Sequence, residues 1–209
     1  MKGQTHWKIL GLLLSAMVFN GHSQDLIRDH YPNKVLKSEG AKIGDSKEGE
    51  WKYFYPSGVL MAREFFKSGN LDGRIEYFYA TKKLQAIEQW KDGLLQDSAW
   101  YFHENGQLER KGKYKDSQYE GAWKYFYDSG RQQRSLTYVN GLPQGEVRIF
   151  SESGVLLQKG FYQEGLEDGA WEFYNEAGKL EYSGSYEKGK RVGQWFTYDK
   201  RGNKKPWRY

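Results

Sequence analysis

One period governs this chain. Gly49, Gly73, Asp97, Gly121, Gly145, Gly169 and Gly193 stand a constant 24 residues apart, with no insertion between them. Self-similarity at a fixed period of roughly 20–50 residues marks stacked repeats, in which one unit cannot bury its apolar face alone and its neighbours must cover it.

Numbering the unit from that residue shows what else recurs. Position three holds Trp51, Ile75, Ala99, Trp123, Val147, Trp171 and Trp195, and position six holds Phe54, Phe78, Phe102, Phe126, Phe150, Tyr174 and Tyr198. Position ten is glycine except at Lys82, and position eighteen is always aromatic, from Phe66 and Trp90 to Tyr186. The residues before Gly49 fit the same frame in weakened form, with Tyr31 at position seven, Leu36 at twelve and Gly40 at sixteen. The last copy stops partway, so both ends read as caps, which stacked repeats require where no neighbour covers the final face.

Each unit carries two turn signals, one at positions eight to ten (Asn105-Gly106, Ser153-Gly154) and one near position twenty-one (Gly69, Gly93, Gly141, Gly165, Gly189). Two turns imply two strands, and the apolar alternation between them has period two, which is a strand pattern. The expected fold class is therefore all-β: tandem 24-residue units of two strands each, about fourteen strands in one elongated domain. Position sixteen is glycine at Gly112, Gly160 and Gly184, where a ring from the adjacent strand can lie across the gap. In the third copy, Asp97 replaces glycine and Trp100 stands one place beyond position three, which predicts a local bulge.

Composition supports regular turns over disorder. Of a 38% hydrophobic content, aromatic residues make up 17%, so the core is thin and built of rings. The 25 glycines are spread evenly and there are only 4 prolines.

Residues 1–23 differ from everything after them: Lys2 and Lys8 precede an apolar run from Ile9 to Phe19, followed by Asn20, Gly21, His22 and Ser23. This is the pattern of a cleavable signal peptide, cut before Gln24, and predicts a periplasmic or secreted protein. The run is shorter than the roughly 20 residues a bilayer span needs, so no integral span is expected in the mature chain. The expected organisation is a signal peptide at 1–23, a capping half-repeat at 24–48, six repeats at 49–192 and a C-terminal capping half-repeat at 193–209. Cleavage takes two lysines from 32 basic residues, leaving 30 against 27 acidic ones, a net charge of +3. The two signs alternate along the chain without a basic block, which argues against nucleic acid as a partner.

A search for chemistry finds little. Of the histidines, His30 and His103 fall three repeats apart, there is no cysteine, and no phosphate-cradling glycine loop precedes a helix. Glu76, Glu109 and Glu172 fall at outward strand positions suited to a solvated face. No catalytic residue, metal ligand or cofactor is assigned, and the chain is read as a non-enzyme.

The segments Gly-Glu-Trp-Lys-Tyr-Phe-Tyr-Pro-Ser-Gly-Val-Leu at 49–60, Gly-Ala-Trp-Lys-Tyr-Phe-Tyr-Asp-Ser-Gly at 121–130 and Gly-Ala-Trp-Glu-Phe-Tyr-Asn-Glu-Ala-Gly-Lys-Leu at 169–180 resemble the MORN repeat variant, whose arrays are often grouped with YwqK-type antitoxins. The resemblance spans roughly Tyr31 to Tyr209. It implies an elongated, single-layer antiparallel sheet of tandem 24-residue β-hairpin (MORN-like) repeats serving as a protein-interaction or membrane-associated scaffold, and the antitoxin grouping implies binding and neutralising a toxin.

Rings fall on both faces of such a sheet, and two readings follow. Twist and curl can bring both ring rows under neighbouring copies. Alternatively, a ladder of Trp51, Trp123, Trp171 and Trp195 with Phe54, Phe78, Phe102, Phe126 and Phe150 forms a candidate binding surface, able to grip a protein partner such as a toxin or to stack on the sugars of an envelope glycan.

Overall fold

The computed structural model describes residues 25–207, so the expected signal peptide and its expected cleavage point lie outside the described residues. Seventeen strands form one open sheet. They are β1 (Asp25–His30), β2 (Leu36–Ile43), β3 (Ser46–Phe54), β4 (Leu60–Lys67), β5 (Asn70–Leu71), β6 (Gly73–Phe78), β7 (Leu84–Lys91), β8 (Leu94–Phe102) and β9 (Leu108–Lys115). Then follow β10 (Gln118–Phe126), β11 (Gln132–Val139), β12 (Leu142–Phe150), β13 (Leu156–Gln163), β14 (Leu166–Tyr174), β15 (Leu180–Glu187), β16 (Lys190–Tyr198) and β17 (Lys204–Trp207). Each strand pairs antiparallel with the next in the chain, and β5 and β6 are two parts of one strand, since β4 pairs with both. The three strands beyond fourteen come from the segment ahead of Gly49, which supplies β1 and β2, and from that division.

The two turns of each unit differ. At positions twenty and twenty-one a two-residue turn has both residues at positive φ, as in Asn140 (50°) and Gly141 (80°), which is the type I′ geometry matching the twist of the strands it joins. At positions eight to ten, Gly58 N–H bonds Tyr55 O at 2.8 Å and Gly58 then takes φ 81°. Lys82, the exception at that place, adopts the same left-handed backbone at φ 68°.

The residue that defines the period has a role of its own. Position one takes positive φ in every copy, including Asp97 at 57°, and the register to the preceding strand shifts there, as between Gly40 and Ala41 or Lys159 and Phe161. The irregularity expected only in the third copy is thus a bulge built into every repeat. What sets that copy apart is Ala99 in the core slot, with Trp100 turned to the opposite face.

The core is the position-three row. Ile75, Ala99, Trp123 and Trp195 are 0% exposed, and Trp51, Val147 and Trp171 at most 3%. Each indole lies flat on a position-sixteen glycine of the preceding strand: a Cβ on Gly160 would sit 2.1 Å from Trp171 Cδ2, and one on Gly112 2.2 Å from Trp123 Cδ2. The bulge opens the ladder beside a carbonyl, and the indole N–H takes it: Trp51 Nε1 donates to Ala41 O (2.9 Å), Trp123 to Lys113 O (3.0 Å), Trp171 to Phe161 O (3.3 Å) and Trp195 to Ser185 O (3.2 Å). Position-one glycine, bulge, free carbonyl and buried tryptophan are one device.

Flanking rings close the cover. Tyr114 and Tyr119 meet Trp123 edge-on at 5.0 and 4.4 Å between centroids, and Tyr162 and Tyr186 do the same to Trp171 at 5.4 and 5.8 Å. Each such indole contributes on the order of 3 kcal/mol by burial.

Room is conserved where the tryptophan is missing. Four copies pair glycine with Trp, as Gly40/Trp51, Gly112/Trp123, Gly160/Trp171 and Gly184/Trp195, while Glu64 precedes Ile75, Glu88 precedes Ala99 and Leu136 precedes Val147. Glycine thus accompanies each core tryptophan, and a bulkier position sixteen accompanies an aliphatic position three. Glu88 is satisfied there: its carboxylate accepts from Trp90 Nε1 (2.9 Å) and Tyr101 Oη (2.8 Å).

Candidate binding surface

The structure divides the expected ring ladder. Trp51, Trp123, Trp171 and Trp195 are core residues, so they have no free face on which a sugar could stack. The physical reason is the glycine beneath each one and the rings edge-on to it, Phe66 at Trp51, Tyr114 and Tyr119 at Trp123, Tyr162 and Tyr186 at Trp171, and Tyr186 and Trp207 at Trp195. Phe54, Phe78, Phe102, Phe126 and Phe150 are half-buried and sit beside the wider turns.

The phenylalanine row also belongs to a strut that sequence reasoning missed. Position-seven side chains reach across to the position-six carbonyl of the next repeat: Tyr31 Oη to Phe54 O (2.8 Å), Tyr55 to Phe78 (2.9 Å), Tyr79 to Phe102 (2.7 Å), His103 Nε2 to Phe126 (3.0 Å) and Tyr127 to Phe150 (2.8 Å). The signal was in the chain, four tyrosines and a histidine at 24-residue spacing. From Ser151 onward the strut gives way to local caps, with Asn175 Oδ1 accepting from Ala177 N and Lys179 N, and Asp199 Oδ1 from Arg201 N and Asn203 N. Those two backbone donors hold the Asp199 carboxyl below the usual aspartate range, together with the larger contribution of the Asn203 side chain.

On the core side, burial raises the tyrosine hydroxyls of Tyr53, Tyr77, Tyr101 and Tyr125 above their ordinary value. Arg110 stacks on Tyr101 and Arg134 on Tyr125, 4.1 and 4.4 Å from the ring centroids. The fixed rings thereby present cations along one edge of the core row. Desolvation raises the Glu64 carboxyl, opposed in part by a hydrogen bond from Tyr53 and by the charge of Lys47. Among the described residues, no group of three or more His, Cys, Asp and Glu is placed to hold a metal.

The opposite face is formed by positions two, four, fifteen and seventeen. Its N-terminal part is laced by ion pairs, Glu50 to Arg63 (3.0 Å), Arg63 to Glu76 (3.2 Å) and Arg74 to Glu76 (2.8 Å). Behind the core glycines the face is dimpled. The hollow behind Gly40 carries Glu39, Glu48, Glu50 and Lys52, and the one behind Gly160 carries Glu146, Lys159, Phe161 and Glu172. With the tryptophans consumed by the core, this face supplies most of the side chains a partner could read.

Against known families, the MORN repeat variant matches residues 47–68, 101–116, 143–164 and 167–188. Every matched segment ends at position twenty, and the frames differ by whole multiples of the 24-residue period. The chain carries MORN variant repeats at these four segments.

The full-length matches run from the second strand of one hairpin, through the wide turn, to the I′ turn. No curated protein matches the array. Among solved structures it is similar to "TcdB2-TccC3" and "TcdB2-TccC3-Cdc42", each at 10% identity and a TM-score of 0.20, with 85% of this chain covering 14% and 13% of those chains. The array thus spans about a seventh of their length, and a likeness of that size carries no argument. Among the described residues no helix is long and apolar enough to cross a membrane.

Proposed function

We propose that this MORN array is a non-catalytic scaffold that holds a protein partner outside the cytoplasm, in the cell envelope or beyond it. The observation that carries the reading is the division of labour between the faces. One ring row is spent on the core, while the opposite face offers a long row of half-buried and exposed side chains repeated every 24 residues. The basic start, apolar run and small residues of 1–23 support export. In an exported chain, the antitoxin role associated with YwqK-type arrays takes the form of an envelope immunity protein that neutralises a toxin on arrival.

Affinity capture tests this. The mature chain, Gln24 to Tyr209, is used as bait against envelope and culture-supernatant fractions, and each eluate is analysed for protein and glycan. A single stoichiometric protein that survives washing with sugar supports the scaffold. Muropeptides recovered without a protein would overturn it in favour of an envelope glycan.

A further inference from the structure

The displaced tryptophan of the third repeat has a consequence of its own. Because Ala99 fills the core slot, Trp100 emerges half-buried on the outer face, directly opposite Lys111 of β9. Lys111 is in turn directly opposite Lys124 of β10, and Lys113 follows two residues along the same face. The hollow behind Gly112 is lined by Ser98, Trp100, Lys111, Lys113, Ala122 and Lys124, and by no carboxylate. The equivalent hollow behind Gly40 carries Glu39, Glu48 and Glu50, and the one behind Gly160 carries Glu146 and Glu172.

These lysines are exposed, and among the described residues none makes an ion pair. Glu120 stands opposite Lys113, but its carboxylate accepts from Asn140 N at 3.3 Å. Like charges facing each other across an antiparallel pair are destabilising. The remaining outer face shows that this sheet can pair its charges, as Arg63 does with Glu50 and Glu76. A cross-strand lysine pair beside an aromatic ring is therefore a cost to the fold that a negatively charged ligand relieves.

We infer that this hollow is the docking point for an acidic segment of the protein partner, whose carboxylates neutralise Lys111, Lys113 and Lys124 while an apolar or aromatic side chain packs on Trp100. The inference rests on the scaffold reading above and specifies the chemistry of the partner. Charge complementarity selects the occupant, and the ring adds the apolar anchor that interface centres favour.

The test uses the mature chain and a short fluorescein-labelled peptide of glutamates around one phenylalanine, read by fluorescence anisotropy. A lysine peptide of the same design and a heparin fragment are the comparisons. The glutamate peptide is expected to bind tightest and to weaken as salt rises. Lys111→Gln with Lys124→Gln should reduce its affinity about tenfold, through two exposed ion pairs lost. Trp100→Ala should weaken it further. Lys111→Gln alone should raise the melting temperature at low salt, a gain that a purely structural lysine would not give. Equal binding by the variants, an unraised melting temperature, or tighter binding of heparin or the lysine peptide would overturn the inference. Failure of the unaltered array to capture any protein sinks the scaffold reading itself; a captured partner that the variant combining Lys111→Gln, Lys124→Gln and Trp100→Ala retains in full sinks only this site.

Discussion

Gly160 lies beneath the indole of Trp171 so closely that its α-hydrogen stands where a Cβ would be 2.1 Å from Cδ2. The two residues are on neighbouring strands and belong to different repeats, and the same eleven-residue offset joins Gly40 to Trp51, Gly112 to Trp123 and Gly184 to Trp195. The array also contains its own alternative, Leu136 followed by Val147, both buried. Gly160→Leu should therefore cost about 3 kcal/mol by overpacking, and Trp171→Val about 3 kcal/mol by the cavity it leaves. The double variant, which copies the Leu136/Val147 solution, should recover at least half of the summed loss. Denaturant melts of the four proteins give the coupling energy, and strictly additive losses would contradict the pairing.

Much of this was legible before any coordinates, and the exceptions have physical causes. The strands, both turns and the aromatic row at position eighteen follow from the 24-residue period and from alternation within a strand. The burial of Trp51 and Trp123 was not decided by sequence, because rings fall on both faces and the covering glycine belongs to the preceding repeat. A ring over Gly112 was expected from the sequence, but which of the neighbouring rings fills that place, Trp123, was not. The tyrosine strut escaped notice for the same reason, since Tyr79 acts on a carbonyl 23 residues ahead. Position-one glycine was hidden differently: glycine serves turns and bulges alike, and only the register shift tells them apart.

Glu64 makes the fold sensitive to pH. Desolvation raises its carboxyl above the ordinary glutamate value of 4.5, with a hydrogen bond from Tyr53 and the charge of Lys47 opposing, and Tyr77 lies in the same cluster. A folded value above the unfolded one contributes stability that is complete below pH 4.5 and lost as pH rises through the folded value. The melting temperature of the native chain should thus fall, relative to Glu64→Gln, over the pH interval just above 4.5. Parallel melting curves for the two proteins across that interval would contradict the assignment.

Each tyrosine strut should be separately removable. Tyr79→Phe deletes a 2.7 Å bond to Phe102 O and keeps the ring, so a loss of about 1 kcal/mol is expected. Tyr127→Phe, two repeats away, should cost the same, and the two losses should add. Equilibrium unfolding of the single and double variants checks both statements.

The I′ turns leave room for improvement. Glu164 is held at φ 50°, a left-handed conformation that costs a branched or long side chain more than it costs asparagine. Asn140-Gly141 shows the preferred pair in the same place. Glu164→Asn should stabilise the array by about 0.5–1 kcal/mol, seen as a rise in melting temperature of a few degrees.

Hydroxyl-radical footprinting of the mature chain, with oxidation of each tryptophan quantified by mass spectrometry, asks most directly which rings are core and which are surface. The account predicts that Trp100 is oxidised while Trp51, Trp123, Trp171 and Trp195, all at most 3% exposed, are protected until the array unfolds. Oxidation of those four at rates equal to Trp100 would contradict it, returning the indole row to the surface and the sugar-stacking ladder to consideration.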